Sequence, residues 1–487
     1  MNAALPTHKT KIVATIGPAS ESPEMLVRLI RAGLNVARLN FSHGSPSKHA
    51  EVIRRIRDAA RETGRRVAIM ADLPGPKLRL GKIDPEPIQL LPGARFTLTS
   101  EDIVGDAQRA STTFEQLRRV VKPRDKIFLN DGLVQLRVER LVGNDVECIV
   151  VVGGELRSRN GLNLPGIDLG ISAFTEHDRA CLEFALKEGV DAVGQSFVER
   201  AADIHAVRAA AAQIGRQPFV FAKIERADAL THFDEILAAA DGIMVARGDL
   251  GVEVPIEEIA YTQKQLIAKA NLAGKPVITA TQMLESMVSS RLPTRAEATD
   301  VANAILDGTD CVMLSGESAL GKFPEESVTM LAKIAAFTET HRPPRSFAAQ
   351  REFVQQKTGT IGSDRMASLV EHALDTVPCD LLLVPTRAGM VARAISRFKP
   401  PVWIIAPSSD STACQNLAFS YGVYPINLAE EPDDWREWIA RWLRENRITV
   451  ERVMLVAGPS PRNPKANYRI ELMRSDAENM SAAESNL

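Results

Sequence analysis

The polar residues of this chain that could do chemistry fall in short, spaced sets. Arg38-x-Asn40-x-Ser42, Lys223-x-Glu225, Arg247-x-Asp249, Thr279-x-Thr281 and Ser315-x-Glu317 each close a short apolar run, as do the single residues Asp72 and Ser196. Side chains two apart on a strand share a face, so this spacing predicts convergent groups at strand ends. Glu225 and Asp249 could together hold a hard divalent cation, because Mg2+ takes one or two protein carboxylates and completes its shell with water and substrate oxygens. Arg38 and Lys223 suit an anionic substrate, Arg through a forked contact and Lys as a point charge. In ARGDLGVEVP, Gly248 lets the backbone approach a ligand closely, and the helix beyond could offer amides to a carboxylate or phosphate. The grouping suits a phosphorylated acid. No GxxxxGK[ST] is present, so a nucleotide would not be held by a P-loop.

Each residue alone has an ordinary explanation. A strand-end Ser or Thr usually caps a turn, an isolated Lys-x-Glu is usually a surface pair worth little, and an Asp at a strand-to-helix junction is usually an N-cap. Their clustering on one predicted rim is what argues for a site.

The elements that must position them follow a repeating pattern. Strand candidates are KIVATIG (11–17), VARLNFS (36–42), VAIMAD (67–72), AVGQSF (192–197), FVFAKIE (219–225), GIMVARGD (242–249), PVITAT (276–281) and CVMLSG (311–316), with amphipathic helical stretches between most of them. Eight strands each followed by a helix predict an α/β fold of the (β/α)8 barrel kind, with active groups at the carboxyl ends of the strands. After the third strand, residues 73–170 turn Pro- and Gly-rich with short alternating runs, which predicts a β-rich domain inserted in a loop. Without it about 240 residues remain, close to the ~250 of such a barrel. A polar, Pro-containing linker, HRPPRSFAAQREFVQQ (341–356), precedes four more apolar runs, at 380–386, 402–408, 422–428 and 452–459, which predict a C-terminal α/β domain. The expected division is 1–71 with 171–340 for the barrel, 72–170 for the insertion and 341–487 for the third domain. The final SDAENMSAAESNL reads as a frayed tail.

Composition narrows the class. Of 487 residues 45% are hydrophobic and 25% charged, and 59 basic against 61 acidic residues leave a net charge of −2. With no basic run, a nucleic-acid or anionic-membrane partner is not expected. Five cysteines without a CxxC predict reduced thiols rather than a disulfide frame or zinc site. No apolar stretch reaches the ~18 residues of a membrane span, and the N-terminal residues lack a signal-peptide pattern. The expectation is a cytoplasmic, multidomain protein.

The segments KTKIVATIGPAS, GLNVARLNFSHG, AKIE, DGIMVARGDLGVE, ITATQMLESM and PTRAEATDVANAILDGTDCVMLSGESALGKFP closely resemble the pyruvate kinase family. The resemblance covers about residues 9–340, thins in the insertion and is weakest in the C-terminal domain. It implies transfer of the phosphoryl group of phosphoenolpyruvate to ADP, giving pyruvate and ATP. By position it implies that Arg38 contacts the substrate phosphate and that Lys223 stabilises the enolate. It implies Glu225 and Asp249 as Mg2+ ligands, with Mn2+ as a substitute ion. Gly248, Asp249, Thr281 and Ser196 fall around the substrate, with Thr281 on a water-mediated proton path. Asn40, Phe41, Ser42, His43 and Arg79 fall on the nucleotide side, and the insertion becomes a lid. A homotetramer and a small phosphorylated effector are implied as well.

Three positions depart from the family pattern. Leu73, Pro74 and Lys77 stand where potassium-requiring members carry Thr, Lys and Glu. The monovalent-cation position corresponds to Asn40, Ser42, Asp72 and Leu73, and the ammonium of Lys77 is expected to replace K+ there. His177 stands where many members have a lysine near the nucleotide phosphates. In PTRAGMVARAISRFKP, Gly389 matches the effector loop but Ala388 replaces its serine. Two other readings compete: a Mg2+-dependent aldolase or lyase on phosphoenolpyruvate or a 2-oxoacid, and a catalytically silent metabolite-binding homologue. The insertion, Lys223 and the filled catalytic positions count against both.

Overall fold

A computed structural model describes residues 5–342, 362–460, 462 and 464–474; most of the predicted linker and the predicted tail lie outside the described residues. Barrel strands one to eight are Lys11–Thr15, Leu34–Asn40, Ala68–Leu73, Ala192–Gln195, Phe219–Ile224, Gly242–Ala246, Val277–Ala280 and Cys311–Leu314. They close into an eight-stranded barrel in which each strand pairs in parallel with the next, and strand eight with strand one. All of them except strand two are buried along their whole length. Near-continuous apolar runs are what a parallel sheet covered on both faces requires.

The helices between them carry local start and stop signals. Ser45 caps helix Pro46–Thr63, which stops at the left-handed Gly64. Thr294 and Glu297 form a capping box on helix Arg295–Asp307, which stops at Gly308.

Several strands end earlier than the spacing predicts. Strand six stops at Ala246, and Arg247–Glu253 is already helix, so Arg247 and Asp249 sit on a first helical turn instead of sharing a strand face. Strand eight stops at Leu314, with Ser315 at the start of helix Gly316–Ala319. Thr281 lies one residue past strand seven.

Between strands three and four, a six-stranded sheet runs in the order Leu162–Asn163, Lys126–Leu129, Val134–Val142, Asp145–Val152, Arg95–Thr99, Arg109–Ser111, beside a two-stranded ribbon. Its own core includes Phe96, Leu98, Leu136 and Leu164. The C-terminal domain is a five-stranded sheet in the order Val423–Asn427, Trp403–Ser408, Leu381–Leu383, Arg452–Ala457, Arg469–Arg474. The last strand is antiparallel and has no counterpart in the sequence reading. RIELMR is short and lies against the polar tail, so its apolar residues do not stand out.

This domain seals the floor of the barrel. Phe419 is fully buried among Phe219, Phe221, Met244 and Met313, its ring 6.0 Å from Phe219 and 4.9 Å from Phe221. Tyr421 donates its amide to Asp310 at 3.0 Å, and Lys11 Nζ donates to the Val423 carbonyl at 2.7 Å. Phe419→Ala is therefore expected to cost about 3–5 kcal/mol, the range for an aromatic removed from a packed core. Chemical denaturation checks it: a lowered unfolding midpoint is the expected result, and an unchanged one would mean that the ring is not holding the two domains together.

Candidate active site

Asp72, at the end of strand three, is the centre of the rim. Arg38, from neighbouring strand two, donates Nε to Asp72 Oδ2 at 2.6 Å and Nη1 to Thr15 Oγ1 at 2.8 Å. Lys223, from strand five, places Nζ 3.0 Å from Asp72 Oδ1 and 2.8 Å from Glu225 Oε1. The same Nζ donates to Ser196 Oγ at 2.6 Å, and Ser196 in turn donates to the Leu73 carbonyl at 2.7 Å. Glu225 completes its shell with the Phe197 amide at 2.8 Å. Two cations and two carboxylates are thus packed where the side chains of Asp72 and Glu225 are only 2% exposed.

The environment shifts these groups in opposite senses. Burial pushes Asp72 up, but Arg38 and Lys223 outweigh it and hold the carboxyl below the usual carboxylate range. Burial works against the charge of Lys223, yet Asp72 and Glu225 hold its ammonium well above the usual lysine range. Glu225 is pushed up by burial and by the charge of Asp249, against the pull of Lys223. Lys223 is therefore a fixed cation at neutral pH.

A small cavity of about 60 Å3 opens on this network. Arg38, Asn40, Ser42 and Asp72 line one side, with Lys77 reaching in from the start of the insertion. Ser196, Lys223, Glu225, Asp249 and Thr281 line the other, with Ser315. Thr281 takes φ +67°, which is costly for a β-branched residue. It is held there by Gly248, whose amide donates to Thr281 Oγ1 at 2.7 Å, and by Arg247, whose Nη2 donates to the Thr281 carbonyl at 2.7 Å. Arg247 is itself paired with Asp300 at 2.6 Å.

Other predicted residues lie off the cavity. Leu73 is 1% exposed and packs into the barrel core; only its carbonyl, which takes the Ser196 hydroxyl, faces this neighbourhood. Phe41 is buried, its ring stacked 4.4 Å from His49, while its amide donates to the Asp72 carbonyl at 3.0 Å. His43 is exposed, and burial together with Lys77, Arg79 and Arg38 keeps its imidazole below the usual range. Arg79 turns into the insertion, donating to the Arg159 carbonyl at 3.0 Å. His177 is exposed on the first turn of helix Glu176–Lys187, with Nε2 3.7 Å from Cys181 Sγ. Thr15 organises the rim without being singled out from the sequence, and Arg247, expected on a strand face with Asp249, does so from a first helical turn. Thr15 ends strand one inside an apolar run, and the position of Arg247 reads as a strand end.

The donor set suits a hard cation. Among the described residues no cluster of three or more His, Cys, Asp or Glu is arranged to hold a metal. Glu225 and Asp249 offer hard oxygens and repel one another beside the cavity, so a small divalent ion that draws its other ligands from water and substrate fits them.

Comparison with known proteins covers both the barrel and the C-terminal domain. The family profile described as "Pyruvate kinase, barrel domain" matches residues 7–328, and "Pyruvate kinase, alpha/beta domain" matches 364–467. The chain is 52% identical over 428 residues to a pyruvate kinase of Thermococcus litoralis, covering 88% of this chain and 90% of the relative. It is 43% identical over 419 residues to a pyruvate kinase of Geobacillus stearothermophilus, covering 85% and 71%. The crystal structure of a pyruvate kinase from Cryptosporidium parvum superposes with a TM-score of 0.88 at 34% identity, over 96% of each chain.

Proposed function

The chain belongs to the pyruvate kinase family, whose members transfer the phosphoryl group of phosphoenolpyruvate to ADP, and we propose that it performs this reaction in the cavity around Asp72. The observation that carries the assignment is Lys223, a buried and permanently charged ammonium aimed between Asp72, Glu225 and Ser196. Phosphoryl transfer demands positioning and charge neutralisation more than covalent help. Arg38 and Lys223 bind the substrate phosphoryl group. Lys223 then meets the enolate oxygen as its bond to phosphorus breaks, where a preoriented cation acts most strongly on the transition state. Gly248, Asp249 and Thr281 orient the substrate carboxylate, and Thr281 Oγ1 stands on the proton path to the enolate carbon. Asn40, Phe41, Ser42 and His43 form the nucleotide side, reached by Arg79 when the inserted lid closes and excludes water. His177, on an exposed helix start, stands on that side where many members carry a lysine. When bound to Glu225 and Asp249, Mg2+ (or Mn2+) supplies positive charge to the phosphoryl oxygens.

We propose a regulatory role for the third domain. Thr386 Oγ1 accepts the Gly389 amide at 3.0 Å, beside a cavity of about 80 Å3 lined by Thr386, Arg387, Ser408 and Ser409. We assign a small phosphorylated effector to it, and a homotetramer to the assembled enzyme, following the family. All five cysteines are free thiols, in keeping with a cytoplasmic enzyme, and among the described residues no helix is long and apolar enough to cross a membrane.

Pyruvate release from phosphoenolpyruvate should depend on ADP; release without ADP would replace the kinase by a lyase or phosphatase. Lys223→Met should lower kcat about 10²–10³-fold with a much smaller change in KM, and a mutant that lost only affinity would make the lysine a simple anchor.

Asp249→Asn and Glu225→Gln should each shift the Mg2+ dependence of activity to higher metal concentration, and Asp249→Asn, which lies outside the Lys223–Glu225 ion pair, should leave thermal unfolding near the wild type. Unchanged titrations in both would remove the two carboxylates from the metal site.

Lys77 lines the cavity with Asp72, and a K+ ion beside it would be repelled by ~4 kcal/mol at 4 Å and an effective dielectric near 20. The enzyme should therefore need Mg2+ but not K+. Initial rates in a tetramethylammonium buffer free of Na+ and K+ should not rise on adding K+, and Lys77→Glu should acquire a K+ requirement. A many-fold activation of the wild type by K+ would refute it.

A further inference from the structure

The inserted domain is tied to the barrel at both of its connections, and the two ties differ. On the outbound side the Gly75 amide donates to the buried Asp178 Oδ1 at 2.9 Å. On the return side, Arg226 Nη2 donates to the Ile167 carbonyl at 2.7 Å while Nη1 lies 3.4 Å from Glu253 Oε1. The Gly166 amide of the same strap favours the charged form of Glu253 against its burial. The Arg226 and Glu253 side chains are 3% and 1% exposed, so this pair is shielded from the screening that makes exposed pairs weak. Nε of Arg226 faces Glu199 at 3.3 Å, and Nη2 has Asp228 at 3.9 Å.

What makes the tie more than structural is where it is attached. Arg226 immediately follows Glu225, and Glu253 ends the short helix whose first turn carries Gly248 and Asp249. The strap residues Leu164 and Leu169 belong to the core of the insertion. The insertion also comes near that helix elsewhere: a Cβ added to Gly132 would stand 3.5 Å from Val252. A guanidinium is a planar fork with fixed donor directions, so Arg226 cannot release Ile167 and re-aim without disturbing Glu253.

We propose that Arg226 is a positioning residue that couples docking of the inserted domain to the presentation of Glu225 and Asp249, by holding the return strap and Glu253 in one fork. The proposal rests on the reading of Glu225 and Asp249 as metal ligands. A docked strap fixes both carboxylate-bearing segments, and a bound divalent cation in return favours the docked strap, as linkage requires.

The test uses the full chain without substrate, with Mn2+ as the probe. In Arg226→Met, deuterium uptake by the amides of residues 164–170 should rise about 10-fold, the effect of losing one charge-assisted hydrogen bond. Exchange in helix Pro324–Thr340 should stay unchanged. Mn2+ binding followed by electron paramagnetic resonance should weaken by a similar factor, whereas kcat at saturating metal is retained, which is the signature of a lost docking equilibrium. Unchanged exchange at 164–170 would overturn the tether. Faster exchange with unchanged Mn2+ affinity would overturn the coupling. Asp249→Asn distinguishes the two readings: unaltered Mn2+ binding in that variant would overturn the ligand assignment on which the coupling rests. Glu253→Gln, which keeps the side-chain volume, is read by the same outcomes if Arg226→Met does not fold.

Discussion

The rim of this barrel is organised by a charge cluster that could not survive in pieces. Arg38, Asp72, Lys223 and Glu225 come from strands two, three and five, and Ser196 from the end of strand four, so four adjacent strands contribute. Burying charges out of water is costly, and removing one partner from a buried pair is more destabilising than replacing the whole set by apolar groups. The cluster is therefore weak evidence for stability and strong evidence for use. A cation already held in a buried site, facing the place where negative charge would develop in the proposed transfer, needs no reorganisation when the bond breaks. The parallel register that sets Asp72 beside Asn40 on one side and Gly194 on the other is what makes the arrangement reachable. With glycine at position 194, the nearest side-chain atoms to the space a Cβ would fill are Lys223 Cδ and Asp72 Oδ1, at 3.6 and 3.7 Å.

Much of this was legible in the residues, for a physical reason. Parallel strands buried on both faces leave long apolar runs, so the polar residue that ends such a run is conspicuous. Arg38, Asp72, Lys223 and Glu225 were visible in that way, and so was the Pro- and Gly-rich break after strand three. What stayed hidden depended on where a strand gives way to a helix. Ala246 to Arg247 looks like continued strand by composition, and only the folded backbone turns Arg247 toward the Thr281 carbonyl and away from the face of Asp249. Thr15 was hidden because a β-branched residue fits a strand whether or not its hydroxyl has a partner. Phe419 was hidden because its partners, Phe219 and Phe221, lie about two hundred residues earlier in the chain.

The three domains also divide mechanical labour between the two ends of the barrel. At the floor, aromatic packing around Phe419 and the Asp310–Tyr421 and Lys11–Val423 bonds close the interior. Close-packed interfaces of this kind resist small displacements, because dispersion contacts fall away quickly with distance. At the rim the connections are fewer and polar, through Gly75 and Asp178 on one strap and Ile167 and Arg226 on the other. If the insertion is the lid of the proposed reaction, movement that admits and encloses a substrate would belong to the rim, with the floor as its reference.

Within the barrel, backbone strain is also kept at the rim. Phe197, Thr281 and Gln282 all take positive φ, and none is glycine. Each follows the end of a barrel strand, where the chain must turn abruptly to begin the next loop. The strain at Thr281 persists because Arg247 and Gly248 hold its carbonyl and hydroxyl from the neighbouring strand end. The strain at Phe197 persists because its amide is committed to Glu225. Both holding groups are anchored beside the carboxylates that face the cavity, so relaxing either residue would also disturb the donor set. A conformation costing roughly 1–3 kcal/mol per residue is kept only where its surroundings over-determine it, and here those surroundings are the site itself.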